Sequence, residues 1–264
     1  MQAASHSSRF LPLMAALTGV AWLALWVWGQ SPYSRYLDHG SWAEIGVAGS
    51  LCRALPSGRG VLTGSLVVGG WVLMLSAMML PTTLPLLDIF RRLTARRADR
   101  RGLTGLVVIG YLAVWGAFGL AVHLADWGVA AAVRRSEWLV ANVWVIGAAI
   151  LATAGGYQFT ELKYRCLDKC RAPLGFVVAH WRAASEKSQA LLLGIRHGVF
   201  CVGCCWCLML LMSVIGSANI GWMLALDAVM AAEKNLPAGR RLAAPIGIVL
   251  LLAAVWVAVT GATV

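Results

Sequence analysis

Long apolar runs separated by short basic segments constrain this chain more than any other feature. Runs near 20 residues match a helix crossing a bilayer core of about 30 Å. In lipid every backbone N–H and C=O must be satisfied internally, and a helix does this within one segment. Candidate spans lie at about 11–28, 62–82, 104–125, 138–160, 197–216, 219–233 and 243–261. The expectation is an all-α, polytopic transmembrane bundle of about seven spans, forming one integral membrane domain over residues 1–264. The sixth run is short. Paired with the fifth as a hairpin through Gly216–Asn219, it gives an alternative of six spans plus a partly re-entrant segment. Charged residues make up only 12%, where a soluble domain carries about a quarter. The longest intervening segments, 29–61 and 161–196, have room for short helices but not for a catalytic domain. The first run has one Arg ahead of it and no small-residue cleavage site after it, so it reads as an uncleaved anchor.

The net charge of +11 is unevenly distributed. Arg91, Arg92, Arg96, Arg97, Arg100 and Arg101 follow the second span, and a second basic group runs from Lys163 to Arg196. With Arg9, Lys234, Arg240 and Arg241, 17 of the 22 basic residues fall on one side. Excess Lys and Arg mark the cytoplasmic face. The expected location is a bacterial inner membrane, with the N-terminus cytoplasmic and, for seven spans, the C-terminus external. The charge is thus a topology and lipid signal, and nucleic acid is excluded as a partner.

Four cysteines lie within seven residues of the fifth span, in HGVFCVGCCWCLMLLM. Helical geometry places His197, Cys201, Cys204 and Cys205 on one arc roughly 100° wide, with Met212 in the same arc and Cys207 pointing away. Cys166 and Cys170 end the preceding span region, one helical turn apart, before Arg171 and Pro173. One helix rarely closes a metal shell alone. The expected site therefore joins Cys166 and Cys170 to His197, Cys201, Cys204 and Cys205 at the inner membrane face. Thiolate and imidazole are donors for soft and borderline metals. Cysteines on a reducing side read as ligands or redox groups rather than staples. Cys52 alone lies on the outer side.

Met74 and Met78 share a face of the second span, ahead of Pro81 and Pro85. A proline kink there frees carbonyls that need partners. Met74, Met78 and Met212 are candidate secondary thioether donors, and the mid-span acid Asp227 is a candidate functional group. Gly110, Gly116 and Gly119 of the third span suit close helix contact, beside Tyr111 and Trp115. Glu233 and Lys234 read as an anchor pair at the inner edge.

The stretch YQFTELKYRCLDKCRAPLGF, then GIRHGVFCVGCCWCLMLLM and a later EKNLPAG, resembles a bacterial family of unknown function. Its members are described as predicted metal-binding integral membrane proteins. The resemblance covers most of residues 65–240, with HGxxCxGCCW as its specific core. It implies metal binding, with Cys166, Cys170, Arg171, Pro173, His197, Cys201, Cys204, Cys205, Trp206, Glu233 and Lys234 matching the family core. Glu161 departs from the pattern at a proline position, and Asp227 is unusual for it.

The leading expectation is a non-enzymatic membrane protein that transports, delivers or stores a soft metal. Copper(I) comes first, because thiolates and thioethers both select it. Zinc is second, since Cys and His are its usual structural ligands. One alternative is an accessory or assembly subunit of a membrane complex, partnered by that complex or by a metallochaperone. Another is a membrane thiol redox protein.

Overall fold

The computed structural model describes residues 3–31, 60–181, 186–212 and 220–262. The 213–219 connection with the Gly216–Asn219 hairpin, Cys52 and most of the 29–61 segment lie outside them. All regular structure among these residues is helical. α1 spans Ala3–Gly29 and α2 Gly60–Met78. A 3₁₀ turn at Pro81–Thr83 leads into α3, Leu84–Leu93. α4 (Arg100–Arg135), α5 (Glu137–Ala141) and α6 (Trp144–Tyr157) follow. Next come α7 (Glu161–Arg171), α8 (Pro173–His180), α9 (Glu186–Leu210), α10 (Ile220–Asn235) and α11 (Gly239–Gly261).

α4, α9 and α11 are each long and apolar enough to cross a membrane. Val68–Met78 and Pro81–Leu93 meet that standard only as one span bent by 45°. Length and composition therefore support three or four crossings among the described residues, against the seven expected. α6 and α10, with 14 and 16 residues, reach only about 21 and 24 Å at 1.5 Å per residue. The run expected as one span over 138–160 is split. The Asn142 amide donates back to Trp138 O at 2.8 Å, closing the short α5 before α6 begins. The outward face is apolar where it would meet lipid. Val249, Leu252 and Trp256, at successive turns of α11, are 64%, 64% and 71% exposed.

Glycines bring the long helices together. A Cβ on Gly194 of α9 would come within 2.0 Å of Val107 O on α4, and one on Gly110 within 2.3 Å of Leu191 O. The two backbones thus touch where side chains would hold them apart. Gly119 seats the Trp71 ring of α2. Gly116 faces open space, so only two of the three glycines expected at contacts make one. α6 and α11 pair through Gly155 and Gly247.

The break after α2 follows from Pro81. Its freed carbonyls are satisfied locally and across helices: Thr82 Oγ1 donates to Met79 O at 2.8 Å and Thr83 Oγ1 to Leu80 O at 2.7 Å. Tyr111 Oη, from α4, donates to Met79 O at 3.2 Å. Two buried clusters result. One, between α3, α4, α8 and the first half of α9, is built from aliphatic and aromatic side chains such as Leu86, Phe90 and Leu193. The other gathers the cysteines and most methionines of α2, α7, α9 and α10.

Candidate metal centre

α9 begins at Glu186 rather than near residue 197. Cys201 therefore sits well inside a 25-residue helix, not one turn from its end. The three sulfurs of Cys201, Cys204 and Cys205 lie within 4.8 Å of one another, and all three residues are buried. The i, i+3, i+4 spacing puts them on adjacent corners of one turn. Cys204 and Cys205 donate to Cys201 O at 3.1 and 2.9 Å.

A second helix closes the group. α7 is capped by Thr160, whose hydroxyl accepts from Lys163 N at 3.3 Å. Glu161 occupies the first helical position, where proline is also favoured. It is exposed and pairs with Arg165 at 2.8 Å. One residue before its end α7 presents Cys170, whose sulfur is 3.9 Å from that of Cys204. A metal about 2.3 Å from each sulfur needs neighbouring sulfurs roughly 3.8–4.6 Å apart, from tetrahedral to linear arrangements. The three α9 thiols lie close to that range, and the Cys170–Cys204 pair falls within it. Cys170 is half-buried, unlike the other three.

α7 and α10 are locked to each other beside the sulfurs. Lys163 Nζ donates to both Glu233 oxygens, at 2.9 and 2.8 Å, with the two side chains 0% and 2% exposed. The Arg171 guanidinium caps the C-terminal carbonyls of α10, donating to Glu233 O, to Leu236 O at 2.7 Å and to Pro237 O at 3.0 Å. These groups would otherwise be orphaned at the helix end. The lock carries the next residue, Lys234, to the cluster. Its Nζ is 3.1 Å from Cys201 Sγ and 3.3 Å from Thr82 Oγ1 of the proline break. Tyr111 Oη is also 3.2 Å from Cys201 Sγ.

A family model described as PpoB2, copper chaperone, matches residues 68–257. The chain belongs to this copper chaperone family. No curated protein and no solved structure matches it. The family and the buried Cys201, Cys204 and Cys205 group together assign the chain to metal handling, with copper the metal that the family description names.

Against that assignment the expected ligands divide. Cys201, Cys204, Cys205 and Cys170 converge in this copper chaperone family member. Cys166 does not join the tight group; its sulfur lies on Gly203, where a Cβ would come within 2.6 Å of it. His197 stays one turn away. Its imidazole packs instead against Tyr111 (5.8 Å, stacked) and Phe176 (5.6 Å). Its Nδ1 is buried and makes no hydrogen bond among the described residues. Met74, Met78 and Met212 are buried in the cysteine cluster, whereas Asp227 is half-exposed beside the buried face of α10. The anchor reading of Glu233 and Lys234 is overturned. Both are buried, one on Lys163 and the other on Cys201. The sequence signal for them was the EKNLPAG match, which carried no partner.

Proposed function

We propose that this protein is a membrane copper chaperone, holding copper(I) on the Cys201, Cys204, Cys205 and Cys170 thiols and delivering it to a recipient copper protein. The carrying observation is the approach of Cys170 to the α9 thiol turn, with the Lys234 ammonium, which pairs with no carboxylate among the described residues, on Cys201. Lys163 and Glu233 neutralise each other, so among the described residues Lys234 is the cation in contact with the sulfurs. Copper(I) held by two of these residues as thiolates, with the other two thiols protonated, has a single negative charge, which Lys234 cancels. Zinc in four thiolates has two, leaving net charge in an apolar interior, where uncompensated charge is costly. Thiolates are soft donors that suit copper(I). The protein acts by binding and hand-off rather than by catalysis. The bacterial inner membrane, with both large basic loops cytoplasmic, is the location that the charge asymmetry favours.

Metal analysis of detergent-purified protein, expressed with copper or with zinc, tests this. Copper retained by the wild type and lost in C201S/C204S, with membrane insertion unchanged, is the expected result. Zinc alone in the wild type, or copper unchanged in the double variant, overturns it.

A further inference from the structure

Arg196 interrupts an apolar stripe of α9. Gln189, Leu192, Arg196 and Val199 recur at i, i+3, i+7 and i+10, which puts them on one helix face. Leu192 and Val199, each one turn from Arg196, are 38% and 54% exposed, and Arg196 is exposed with them. α8 packs beside this face through Phe176, which meets Phe200 of α9 at 5.8 Å. It adds Leu174 and Val178, also exposed. Between the two helices lies a pocket of about 230 Å³, lined by Ala179, His180, Gln189, Leu192 and Arg196. That is several times the ~30 Å³ of a water, and gives room for a phosphate ester.

The Arg196 guanidinium pairs with no carboxylate among the described residues. The acid of α9, Glu186, is held by Arg97. Asp168 pairs with Arg240 at 3.2 Å, and Glu233 with Lys163 at 2.8 Å. The 182–185 connection reads RAAS and carries no acid. The pocket's other polar groups are open to a ligand as well. The Gln189 side-chain amide makes no hydrogen bond among the described residues. His180 engages Phe176 O through Nδ1 at 2.8 Å, which leaves its Nε2. A cation among lipid-facing side chains without a counter-ion is costly. A water-facing anchor would need neither the pocket nor the two further polar groups that line it.

We infer that this pocket binds the phosphate of an anionic phospholipid, with Arg196 as its charged partner and the acyl chains lying along Leu192, Val199, Leu174 and Val178. The inference rests on α9 crossing the membrane, and not on which metal the thiols hold. A guanidinium matches phosphate in two parallel N–H···O bonds. The Gln189 amide supplies a further donor from α9, and His180 Nε2 a contact from α8. The exposed apolar side chains on both helices favour a lipid over a free phosphate, which has nothing to lay against them.

Thermal midpoints of the detergent-purified full chain, followed against added dihexanoyl-phosphatidylglycerol, give its affinity by linkage. Phosphatidylcholine with the same chains should bind more weakly, as should glycerol phosphate. R196Q should weaken phosphatidylglycerol binding about tenfold, the scale of lost charge-assisted hydrogen bonds. Q189L should weaken it about threefold, and carries the test should R196Q fail to fold. R241Q removes the same charge from an exposed site outside the pocket, and should leave the affinity within about twofold. Equal weakening by R196Q and R241Q would mean diffuse attraction to charge. Phosphatidylcholine bound as tightly would mean that only the chains are held, and glycerol phosphate bound as tightly would mean a free-phosphate site. Each of these results overturns the proposal, as does unchanged affinity in both R196Q and Q189L.

Discussion

Lys234 shows what a single position does here. Its ammonium lies 3.1 Å from Cys201 Sγ, at the end of a helix fixed by Arg171 and by the Lys163–Glu233 pair. Replacing it with an uncharged side chain of similar length leaves any anionic copper–thiolate unit unbalanced in an apolar interior. K234M should weaken copper(I) binding at least about tenfold, equivalent to ~1.4 kcal/mol, in competition with a copper(I) chelator. Equal retention by K234M and wild type would show that the cation has no part in holding the metal. From the amino-acid order alone Lys234 read as an edge anchor, because a basic residue closing an apolar helix is most often one. Its partner is 33 residues away. A lysine's burial is legible only with the residues that balance it. The thiols were legible for the opposite reason: their i, i+3, i+4 spacing is local, and helical geometry converts it directly into proximity. His197 shares that arc but not that outcome, because its imidazole packs against Tyr111 and Phe176 instead.

Among the elements, the crossing of α4 with α9 holds the cluster's frame. A Cβ on Gly194 would come within 2.0 Å of a backbone carbonyl, and backbone cannot move aside as a flexible side chain can. G194A should force the helices apart and lower stability by about 1–3 kcal/mol, read as the thermal midpoint in detergent. G116A, with no atom within 4 Å of the added Cβ, should be neutral or slightly stabilising, as Ala favours helix over Gly. Equal destabilisation by both would remove the crossing as the cause. Glycine-rich composition marked α4 as a packing helix. Which glycines touch depends on helix rotation, which symmetric apolarity does not encode. The proline break was legible in kind, because Pro81 removes a donor wherever it sits. Its cross-helix partner, Tyr111, was not, because it comes from another helix.

For the molecule as a whole, the basic asymmetry predicts orientation independently of the span count. Reporter fusions after residues 98 and 185 should both report the cytoplasmic side. Opposite signals at the two points would rule out an even number of crossings between them, and an external signal at both would invert the arrangement. Spans were easier to read than to count. An apolar run shows that a segment is buried in lipid or protein, but α6 and α10 are too short for that distinction to follow from composition.

Of the four cysteines Cys170 is the one that is not fully buried, which has a kinetic consequence. An acceptor molecule can touch only the outermost donor while the helices stay packed. Release then waits on α7 shifting from α9, a motion opposed by the Arg171 contacts and the Lys163–Glu233 pair. Removal of copper by a chelator should accordingly proceed at a rate that stops rising with chelator concentration, set by the protein's own opening. Loosening the lock with R171Q should raise that plateau while leaving the amount of copper bound unchanged. A rate that stays proportional to chelator over the whole range would mean that the inner sulfurs are reached directly. The protein would on this account be a timer as well as a carrier: what it controls is how long copper is withheld.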